Sequence, residues 1–336
     1  MNLEQINNLF DNFGNFSVLV VGDVMIDSYL WGKVERISPE APVPIITSTK
    51  RENRLGGAAN VAMNLKYLGA NPILGAVIGD DEKGRLFLKL MKKRALPTEG
   101  IVQSKHRMTT IKTRVISQNQ HILRVDQEKT HELKGQIEEL FIKQLEDILT
   151  TKKIHAVVFE DYDKGIITKK LIQRIVQLSI RKNIPTLVDP KKKNFLHYDN
   201  VSLFKPNLKE IGDGLKIDIE KGSNESLFDA AKILHNKGIK YIFVTLSERG
   251  VFISNAKKFA SIPAEIRDIA DVSGAGDTVI SIASLCLASG IDMKNIAIIS
   301  NLGGGLVCEK VGVVPIKKEL LRKECIAYFN KNGKAH

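Results

Sequence analysis

The 336-residue sequence contains few cysteines and few aromatic residues. Its three cysteines, Cys286, Cys308 and Cys325, are too few and too widely spaced for a disulfide framework or a zinc site. The uncharged apolar stretch at residues 278–291 is shorter than the roughly 20 residues that a membrane-spanning helix needs. The N-terminus shows no basic segment followed by an apolar one, as a secretion signal would. We therefore expect a cytoplasmic protein that does not bind a membrane.

Acidic residues are fewer than basic ones, 38 Asp and Glu against 50 Lys and Arg, so the net charge is +12. Such a charge fits nucleic acid, anionic lipid or small phosphorylated ligands. Aromatic residues make up only 6% of the sequence, and no helix-turn-helix, zinc finger or basic strip interleaved with aromatics is present. We therefore expect no nucleic-acid partner, although salt-sensitive retention on DNA would reopen that possibility.

The chain has no linker rich in Pro, Gly or Ser and no internal repeat. Apolar runs rich in Val, Ile and Leu are typical of strands buried on both faces of a parallel sheet, and they occur at residues 17–21, 156–159, 186–188 and 241–245. Amphipathic helices are predicted between them, at residues 58–68, 133–149 and 169–182. Alternating strands and helices predict an α/β fold with a doubly wound, mainly parallel sheet flanked by helices.

Two segments, at about residues 30–50 and 105–127, interrupt this alternation. They are predicted to form short strands with no helix between them, since apolar and polar residues alternate in the second segment. The two segments together would form a small β-sheet that projects from the main sheet as a lid. We therefore expect one domain over residues 1–336 with this lid inserted.

The segment Asp271-Val-Ser-Gly-Ala-Gly-Asp-Thr278 leads into an apolar helix. The small residues Gly274, Ala275 and Gly276 allow backbone N–H groups to converge on an anion at the N-terminus of that helix. An acid in such a turn is a poor phosphate ligand, but Asp277 could accept a proton from an attacking hydroxyl beside the phosphate. The alternative is an ordinary helix N-terminus in which Asp277 interacts with the helix dipole.

Two further polar segments accompany predicted strand and helix ends. Gly56 and Gly57 permit close approach of a ligand to the backbone, and Asn60 offers both a donor and an acceptor, although a tight turn explains the glycines equally well. Asp23 and Asp27 follow the first strand, at the sheet edge where open α/β folds bind ligands. Both carboxylates could accept hydrogen bonds from sugar hydroxyls, with helix capping as the alternative.

Together these segments resemble the ribokinase-like (PfkB) carbohydrate kinase family over nearly the whole chain. Its two signatures correspond to residues 56–69 and 271–278, and further similarities lie at residues 188–190, 205–210 and 245–250. Within the family, the sequence is most similar to the kinase domain of bacterial ADP-heptose synthesis, at residues 37–44, 56–65, 112–120, 123–126, 161–165 and 277–280. The resemblance implies a ribokinase-like sheet with a small β-sheet lid.

It also implies that ATP, with Mg²⁺, phosphorylates O1 of D-glycero-β-D-manno-heptose 7-phosphate to the 1,7-bisphosphate, a step towards the lipopolysaccharide core. The partners would then be the sugar phosphate and ATP. A homodimer is expected, because relatives pair through their lid sheets. No second catalytic half with a His-x-Gly-His motif is present in the sequence. A separate nucleotidyltransferase and a phosphatase would therefore act downstream, unless the sequence is part of a longer bifunctional protein.

By resemblance, Asp277 is the catalytic base, and the backbone of Gly274, Ala275 and Gly276 stabilises the transferred phosphoryl group. The residues expected to hold the substrate and its phosphate are Asp23, Asp27, Gly56, Gly57, Asn60, Lys112, Arg114, Arg124, Asp161 and Lys164. Those expected to border the nucleotide are Lys191, Asn207, Glu210, Thr245, Ser247, Gly250 and Asn301. Asn207 and Glu210 would also organise Mg²⁺, partly through water.

Two alternative functions remain open from the sequence. The first is another sugar or sugar-phosphate kinase of the same family, of the fructose-phosphate or ribose type. The second is a non-catalytic sensor of sugar phosphates or nucleotides on the same fold, which would have no need of the acid at position 277. A P-loop is excluded, because the nearest glycine pair, Gly79 and Gly84, is followed by Arg85 and Leu86 rather than by Lys and Ser or Thr.

Overall fold

The computed structural model describes residues 1–118 and 120–333; Asn119, which belongs to the motif at residues 112–120, and residues 334–336 lie outside the described residues. The strands are β1 (Ser17–Gly22), β2 (Val24–Ile37), β3 (Pro44–Gly57), β4 (Asn71–Gly79), β5 (Ile101–Ser104), β6 (Thr110–Ser117), β7 (Gln120–Gln127), β8 (Ala156–Glu160), β9 (Thr186–Asp189), β10 (Leu203–Phe204), β11 (Tyr241–Thr245), β12 (Val251–Ser254) and β13 (Phe259–Ile262). The helices are α1 (Leu3–Asn12), α2 (Ala58–Tyr67), α3 (Glu82–Lys93), α4 (Gln136–Thr151), α5 (Lys169–Arg181), α6 (Leu208–Leu215), α7 (Asn224–His235), α8 (Ala275–Ala288), α9 (Met293–Cys308) and α10 (Lys318–Gly333).

The main sheet has the order β13-β12-β11-β10-β9-β8-β1-β4-β5 within the described ranges. All neighbours from β11 to β5 pair in parallel, whereas β12 and β13 pair antiparallel at one edge. The chain winds outward from β1 in both directions, first to β4 and β5 and then to β8 and the strands beyond it. This arrangement confirms the predicted doubly wound, mainly parallel α/β fold.

The first strand shows why the central strands lack alternation of polar and apolar residues. Val18 and Val20 pack into a core cluster on one face of the sheet, and Leu19 and Val21 pack into a second cluster on the other face. All four side chains are fully buried. Each such burial contributes roughly 1.5–3 kcal/mol, so a strand at the centre of the sheet favours apolar residues at every position.

Helices cover the two faces of the main sheet. The cluster that contains Val18 also contains apolar residues of α1, α2, α8 and α9, and the cluster that contains Leu19 includes residues of α4, α5 and α7. Helix α8 is buried along most of its length, as its uniformly apolar sequence predicts. In the described part of the chain, we find no helix with the length and apolar character needed to cross a membrane.

A second, smaller sheet has the order β3-β2-β6-β7. Strand β2 pairs antiparallel with β3 and parallel with β6, and β6 pairs antiparallel with β7. The first two strands are longer than the segment predicted at about residues 30–50, because the chain stays extended from Val24, directly after β1, and returns in β3 as far as Gly57 at the start of α2. The small sheet therefore begins and ends beside the carboxyl edge of the main sheet.

Candidate active site

A cavity of about 750 Å³ lies at the carboxyl edge of the main sheet. Strands β8, β9 and β11 end at Glu160, Asp189 and Thr245, and all three of these residues line the cavity. The N-terminus of α8 borders it through Ala275, Gly276 and Asp277. The parallel strands of the sheet therefore bring polar side chains from distant parts of the sequence to one place.

The backbone at the start of α8 depends on glycine. Gly274 caps the helix with φ of 81°, a left-handed conformation that strains other residues. The first N–H groups of a helix have no partner within the helix, and the helix dipole favours negative charge there. The N–H of Ala275 donates to the carbonyl of Val272 at 3.3 Å. Anion binding by the backbone of Gly274–Gly276 stays a prediction.

Asp277 lies in the first turn of α8 and is almost completely buried, with 5% of its surface exposed. The hydroxyl of Tyr162 donates a hydrogen bond to its Oδ1 at 3.1 Å. Burial, followed by the charge of Asp189, raises the pKa of Asp277 to about 6, and the side chains of Asn60, Tyr162 and Lys205 oppose that rise. Asp277 is therefore ionised at neutral pH, with a pKa closer to that of a working base than an ordinary aspartate has.

Helix α2 packs against α8 and brings Asn60 to the site. Asn64, one turn after Asn60, accepts hydrogen bonds at Oδ1 from the hydroxyl of Thr278 at 3.2 Å and from the N–H of Ile316 at 2.9 Å. The hydroxyl of Ser281 donates to the carbonyl of Val61 at 3.3 Å. These polar contacts fix the register between the two helices within an apolar interface, so Asn60 and Asp277 face each other.

Three acids form a cluster at the floor of the cavity. Carboxylate oxygens of Glu160, Asp189 and Asp277 lie within 4.8 Å of one another, and all three residues are buried. Oε2 of Glu160 has no hydrogen-bond partner among the described residues. Burial and the neighbouring Asp189 raise the pKa of Glu160 well above its usual value. Lys205 supplies positive charge, with its Nζ 2.8 Å from Oδ2 of Asp189.

The residues predicted to border the nucleotide line this same cavity: Lys191, Asn207, Glu210, Thr245, Ser247, Gly250 and Asn301. Asn207 and Glu210 cap each other at the start of α6, where Oδ1 of Asn207 accepts from the N–H of Glu210 at 2.8 Å and Oε2 of Glu210 accepts from the N–H of Asn207 at 2.9 Å. The other carboxylate oxygen of Glu210 pairs with Lys191. Both residues are thus engaged in structural contacts and border the cavity at the same time.

The glycines before α2 allow β3 to pack closely against β2 and the carbonyl of Asp23. A side chain at Gly56 would collide with the carboxylate of Asp27, and Gly57 has φ of 64°. Asp27 in turn pairs with Arg114, with 2.5 Å between Oδ1 and Nη1. Close packing therefore explains why glycine is needed at these two positions. It stays a prediction that a sugar is held by Gly56, Gly57, Asn60 and Asp27.

The other basic residues predicted to bind substrate are all paired with acids. Nζ of Lys112 lies 2.7 Å from Asp126 and 3.3 Å from Glu128, and Nζ of Lys164 lies 2.7 Å from Glu128. Arg124 pairs with Asp126 at 3.0 Å. Lys112 and Arg124 belong to the small sheet, and Lys164 belongs to the loop after β8. Glu128 therefore connects the small sheet to that loop through its contacts with Lys112 and Lys164.

Two of the predicted substrate residues are engaged in supporting the loop after β8. Asp23 is fully buried, and its carboxylate accepts hydrogen bonds from the backbone N–H groups of Tyr162, Lys164 and Ile166 at 2.9–3.1 Å. Asp161 accepts hydrogen bonds from Asn194 at 2.9 Å and Tyr198 at 3.1 Å. Burial raises the pKa of Asp161 to about 7. Sugar binding by these two residues stays a prediction, while the structure shows them as loop anchors.

The residues that line the cavity without a role predicted from the sequence include Glu160, Tyr162, Asp189 and Lys205. Three of them belong to motifs noted in the sequence, Tyr162 at residues 161–165, Asp189 at 188–190 and Lys205 at 205–210. Glu160 had one usable signal, since an acid ends an otherwise apolar buried strand. The pairing of Lys205 with Asp189 depends on two parallel strands lying side by side, which local sequence does not reveal.

Comparison with protein families and curated proteins gives consistent matches. Residues 15–319 match the model described as pfkB family carbohydrate kinase. The chain is 38% identical over 315 residues to the bifunctional protein HldE of Trichlorobacter lovleyi, which covers 93% of this chain and 63% of that protein. It is 40% identical over 298 residues to the bifunctional protein HldE of Helicobacter pylori, with 88% and 63% covered. The chain thus spans less than two thirds of the length of these relatives.

Solved structures share the fold at low sequence identity. Phosphofructokinase-2 from Escherichia coli in complex with potassium superposes with a TM-score of 0.76 at 17% identity, covering 94% of this chain and 99% of that one. Ribokinase from Arabidopsis thaliana complexed with ribose and ATP gives 0.70 at 15% identity, covering 92% and 98%. These similarities support the ribokinase-like fold and, at such identity, the fold alone.

Proposed function

The chain belongs to the pfkB family of carbohydrate kinases, which makes it an ATP-dependent sugar kinase, and we propose that its substrate is D-glycero-β-D-manno-heptose 7-phosphate, phosphorylated at O1. The similarity to proteins named HldE over most of this chain favours a heptose substrate. The observation that carries the chemistry is the buried Asp277 beside the Gly274–Gly276 turn, in the wall of a cavity large enough for a nucleotide.

Asp277 would activate the acceptor hydroxyl. As the bond between O1 and the γ-phosphorus forms, the bond between that phosphorus and ADP breaks, and the proton of O1 passes to the carboxylate of Asp277. The pKa of about 6 leaves this carboxylate ionised at neutral pH, while burial keeps it more basic than a solvated aspartate. Backbone N–H groups at the start of α8 would stabilise negative charge on the transferred phosphoryl group.

The cavity between Thr245, Gly250 and Asn301 would hold the nucleotide. Asn301 is fixed by donating from Nδ2 to the carbonyl of Pro263 at 2.8 Å. Apolar side chains at the rim, including the exposed Ile266 and Val272, offer surface on which a base could pack. In this orientation the phosphates would point towards Gly276 and the acid cluster.

Mg²⁺ fits the donor chemistry of the site, because hard cations prefer oxygen ligands. The candidates are Glu210 and Asn207, together with the carboxylates of Glu160 and Asp189 in the same cavity, while the carboxylate of Asp277 would accept the proton. The unpartnered Oε2 of Glu160 is a buried oxygen to which a cation or its water could bind. Bound there, Mg²⁺ would neutralise phosphate charge.

The 7-phosphate would bind at the basic face of the small sheet. Strand pairing places Lys112 beside Asp27 and Arg114 beside Tyr29, so both basic side chains lie on the face that carries Asp27. Lys112 and Lys164 are joined through Glu128, and a phosphate could replace that carboxylate between the two ammonium groups. This arrangement would favour phosphorylated sugars over neutral ones.

A homodimer formed through the small sheets is part of the proposal. Strand β7 is exposed along its length and carries Ile122, Leu123 and Val125. A second copy could cover these apolar side chains. Molar mass from light scattering would test this, with charged substitutions at Leu123 expected to give monomers. A phosphatase and a nucleotidyltransferase would then act on the product.

The test is a kinase assay of the purified chain with ATP over a panel of sugars and their 6- or 7-phosphates, with the phosphorylated position identified by NMR. We expect heptose 7-phosphate to give the highest kcat/KM and phosphate to appear on O1. Preference for a fructose phosphate or ribose would replace the proposed substrate with another of the same family. Absence of turnover with every sugar would leave a sensor role as the better explanation.

A further inference from the structure

Lys205 is a buried cation at the floor of the cavity. It follows strand β10 directly, and its N–H donates to the carbonyl of Val188 in β9 at 2.8 Å. Its side chain is 4% exposed and its Nζ lies 2.8 Å from Oδ2 of Asp189. Burying a lysine ammonium is costly unless it is paired, so the ion pair with Asp189 holds the lysine in a single place.

Lys205 lies next to the glycine turn at the start of α8. A Cβ atom built on Gly276 would lie 3.5 Å from Nζ of Lys205 and 3.6 Å from Oδ2 of Asp189. The ammonium group of Lys205 therefore lies on the side of Gly276 towards which a side chain would project. Both residues line the cavity. An anion held by this turn would contact the ammonium group as well.

The other basic side chains in the cavity wall differ from Lys205 in their exposure and in their ion-pair partners. Within the described chain, the basic residues lining the cavity are Lys191, Lys205 and Arg267. Nη1 of Arg267 pairs with Glu309 at 2.6 Å, and its Nη2 pairs with Glu324. Lys191 is 34% exposed and pairs with Glu210. Lys205 is thus the most enclosed of the three and the one beside Gly276.

The charge balance of the site also requires a cation at this point. Glu160, Asp189 and Asp277 lie together, and Lys205 pairs directly with this cluster at Asp189. Lys191 also acts on Glu160 and Asp189, but it is more exposed and pairs with Glu210. The phosphates of ATP would add several negative charges to the same cavity. Phosphoryl transfer depends mainly on positioning and on compensation of this charge, and fixed donors in a dry site are worth far more than donors in water.

We propose that Lys205 is a catalytic residue whose ammonium group contacts the transferred phosphoryl group and neutralises its charge in the transition state. The inference rests on the kinase function and adds a residue to it. Lys205 neither gains nor loses a proton: the acceptor's proton goes to Asp277, ADP leaves, and the ammonium supplies charge and hydrogen bonds throughout. Burial lowers the pKa of Lys205, but Asp189 and the other neighbouring acids outweigh that effect, so the pKa is raised and the lysine stays protonated.

The first test replaces the lysine by an apolar residue of similar length, Lys205→Met. We expect kcat to fall about 10²–10³-fold, the loss typical when one transition-state donor is removed, with the KM for the sugar within about twofold. Lys191→Met is the matched control, since it removes the more exposed cation of the same cavity and should lower kcat less. Ethylammonium should restore part of the activity of Lys205→Ala, which a purely structural lysine would not permit.

Lys205→Met leaves Asp189 buried and unpaired, which could unfold the protein. The double variant Lys205→Met/Asp189→Asn removes both charges and should fold, because neutral replacements at both partners avoid an orphaned charge. Its kcat should lie at least tenfold below that of Asp189→Asn alone.

Two results would overturn the role of Lys205: a folded Lys205→Met with wild-type kcat, or a double variant no slower than Asp189→Asn. Melting temperature and ADP affinity are measured for every variant. A loss of kcat that occurs only together with a lower melting temperature or a weaker ADP affinity would also contradict the role. Failure of the proposed function looks different, since the wild type itself would then show no turnover with any sugar.

Discussion

The hydroxyl of Tyr162 donates a hydrogen bond to Asp277, with 3.1 Å between Oη and Oδ1. The N–H of the same tyrosine donates to Oδ2 of Asp23 at 2.9 Å. Asp23 therefore holds the loop after β8, and the loop aims the tyrosine at the acid of α8. Tyr162 thus connects Asp23, which follows β1, to Asp277, the group that would accept the proton.

Tyr162→Phe should shift the ionisation of the proposed base to higher pH without unfolding the protein. The hydrogen bond from Tyr162 lowers the pKa of Asp277, so its loss should raise that pKa and reduce kcat more at pH 6 than at pH 8. The measurement is kcat at both pH values. Tyr198→Phe is the control, because it removes a hydroxyl that contacts Asp161 outside the cavity; an equal effect in both variants would argue against a specific contact.

The activity of the wild type should depend on the ionisation of Asp277. The base works only when deprotonated, and its pKa is raised to about 6. We therefore expect kcat to fall about tenfold per pH unit below about pH 6 and to level off above it. Because Glu160 and Asp189 are close neighbours, the midpoint belongs to the cluster rather than to one residue. A kcat that stays constant from pH 5 to 8 would contradict the assignment.

Gly276→Ala should fold normally and lose activity. The added methyl would make ordinary contacts, the nearest at 3.5 Å, and Gly276 is not in a left-handed conformation. Alanine also favours a helix over glycine by about 1 kcal/mol. The methyl would nevertheless occupy the space that the phosphoryl group needs, so we expect kcat to fall at least tenfold with an unchanged or higher melting temperature. Gly14→Ala, whose nearest contact would be 3.7 Å, is the control that should retain full activity.

Lys164→Gln should impair recognition of the substrate phosphate. Removing one of two ammonium groups that share Glu128 should raise the KM for the sugar phosphate about tenfold, equivalent to about 1.4 kcal/mol, and leave the KM for ATP unchanged. Steady-state kinetics with each substrate varied in turn provides both values. Lys152→Gln removes an exposed lysine paired with Glu99 and should change neither. An unchanged KM for the sugar phosphate in Lys164→Gln would place the phosphate elsewhere.

Most of the fold was predictable because its signals are local. Four apolar runs and three amphipathic segments predicted strands and helices that the structure confirms, with ends shifted by up to three residues. The helix predicted at residues 133–149, for example, spans Gln136–Thr151. The small sheet was harder to delimit, since its strands mix apolar and charged residues and are half exposed.

The candidate site was predictable where one short motif contains the chemistry, as at Gly274–Asp277. It was not predictable where the geometry depends on non-local pairing. Asp23 has the sequence position of a ligand, yet its carboxylate holds the backbone of residues 162–166, which are 139 residues or more further along the chain. Glu160 and Lys205 come together with Asp189 only because β8, β9 and β10 are neighbours in the sheet.

The most direct test of the account is phosphoryl transfer by Asp277→Asn, compared with wild type at saturating ATP and heptose 7-phosphate. Asp229→Asn makes the same chemical change on the exposed face of α7 and serves as the control. We predict that kcat falls about 10²–10⁴-fold in Asp277→Asn, the contribution typical of a general base, while ATP affinity and melting temperature stay close to wild type. A folded Asp277→Asn that binds ATP and retains substantial turnover would contradict the central role of Asp277.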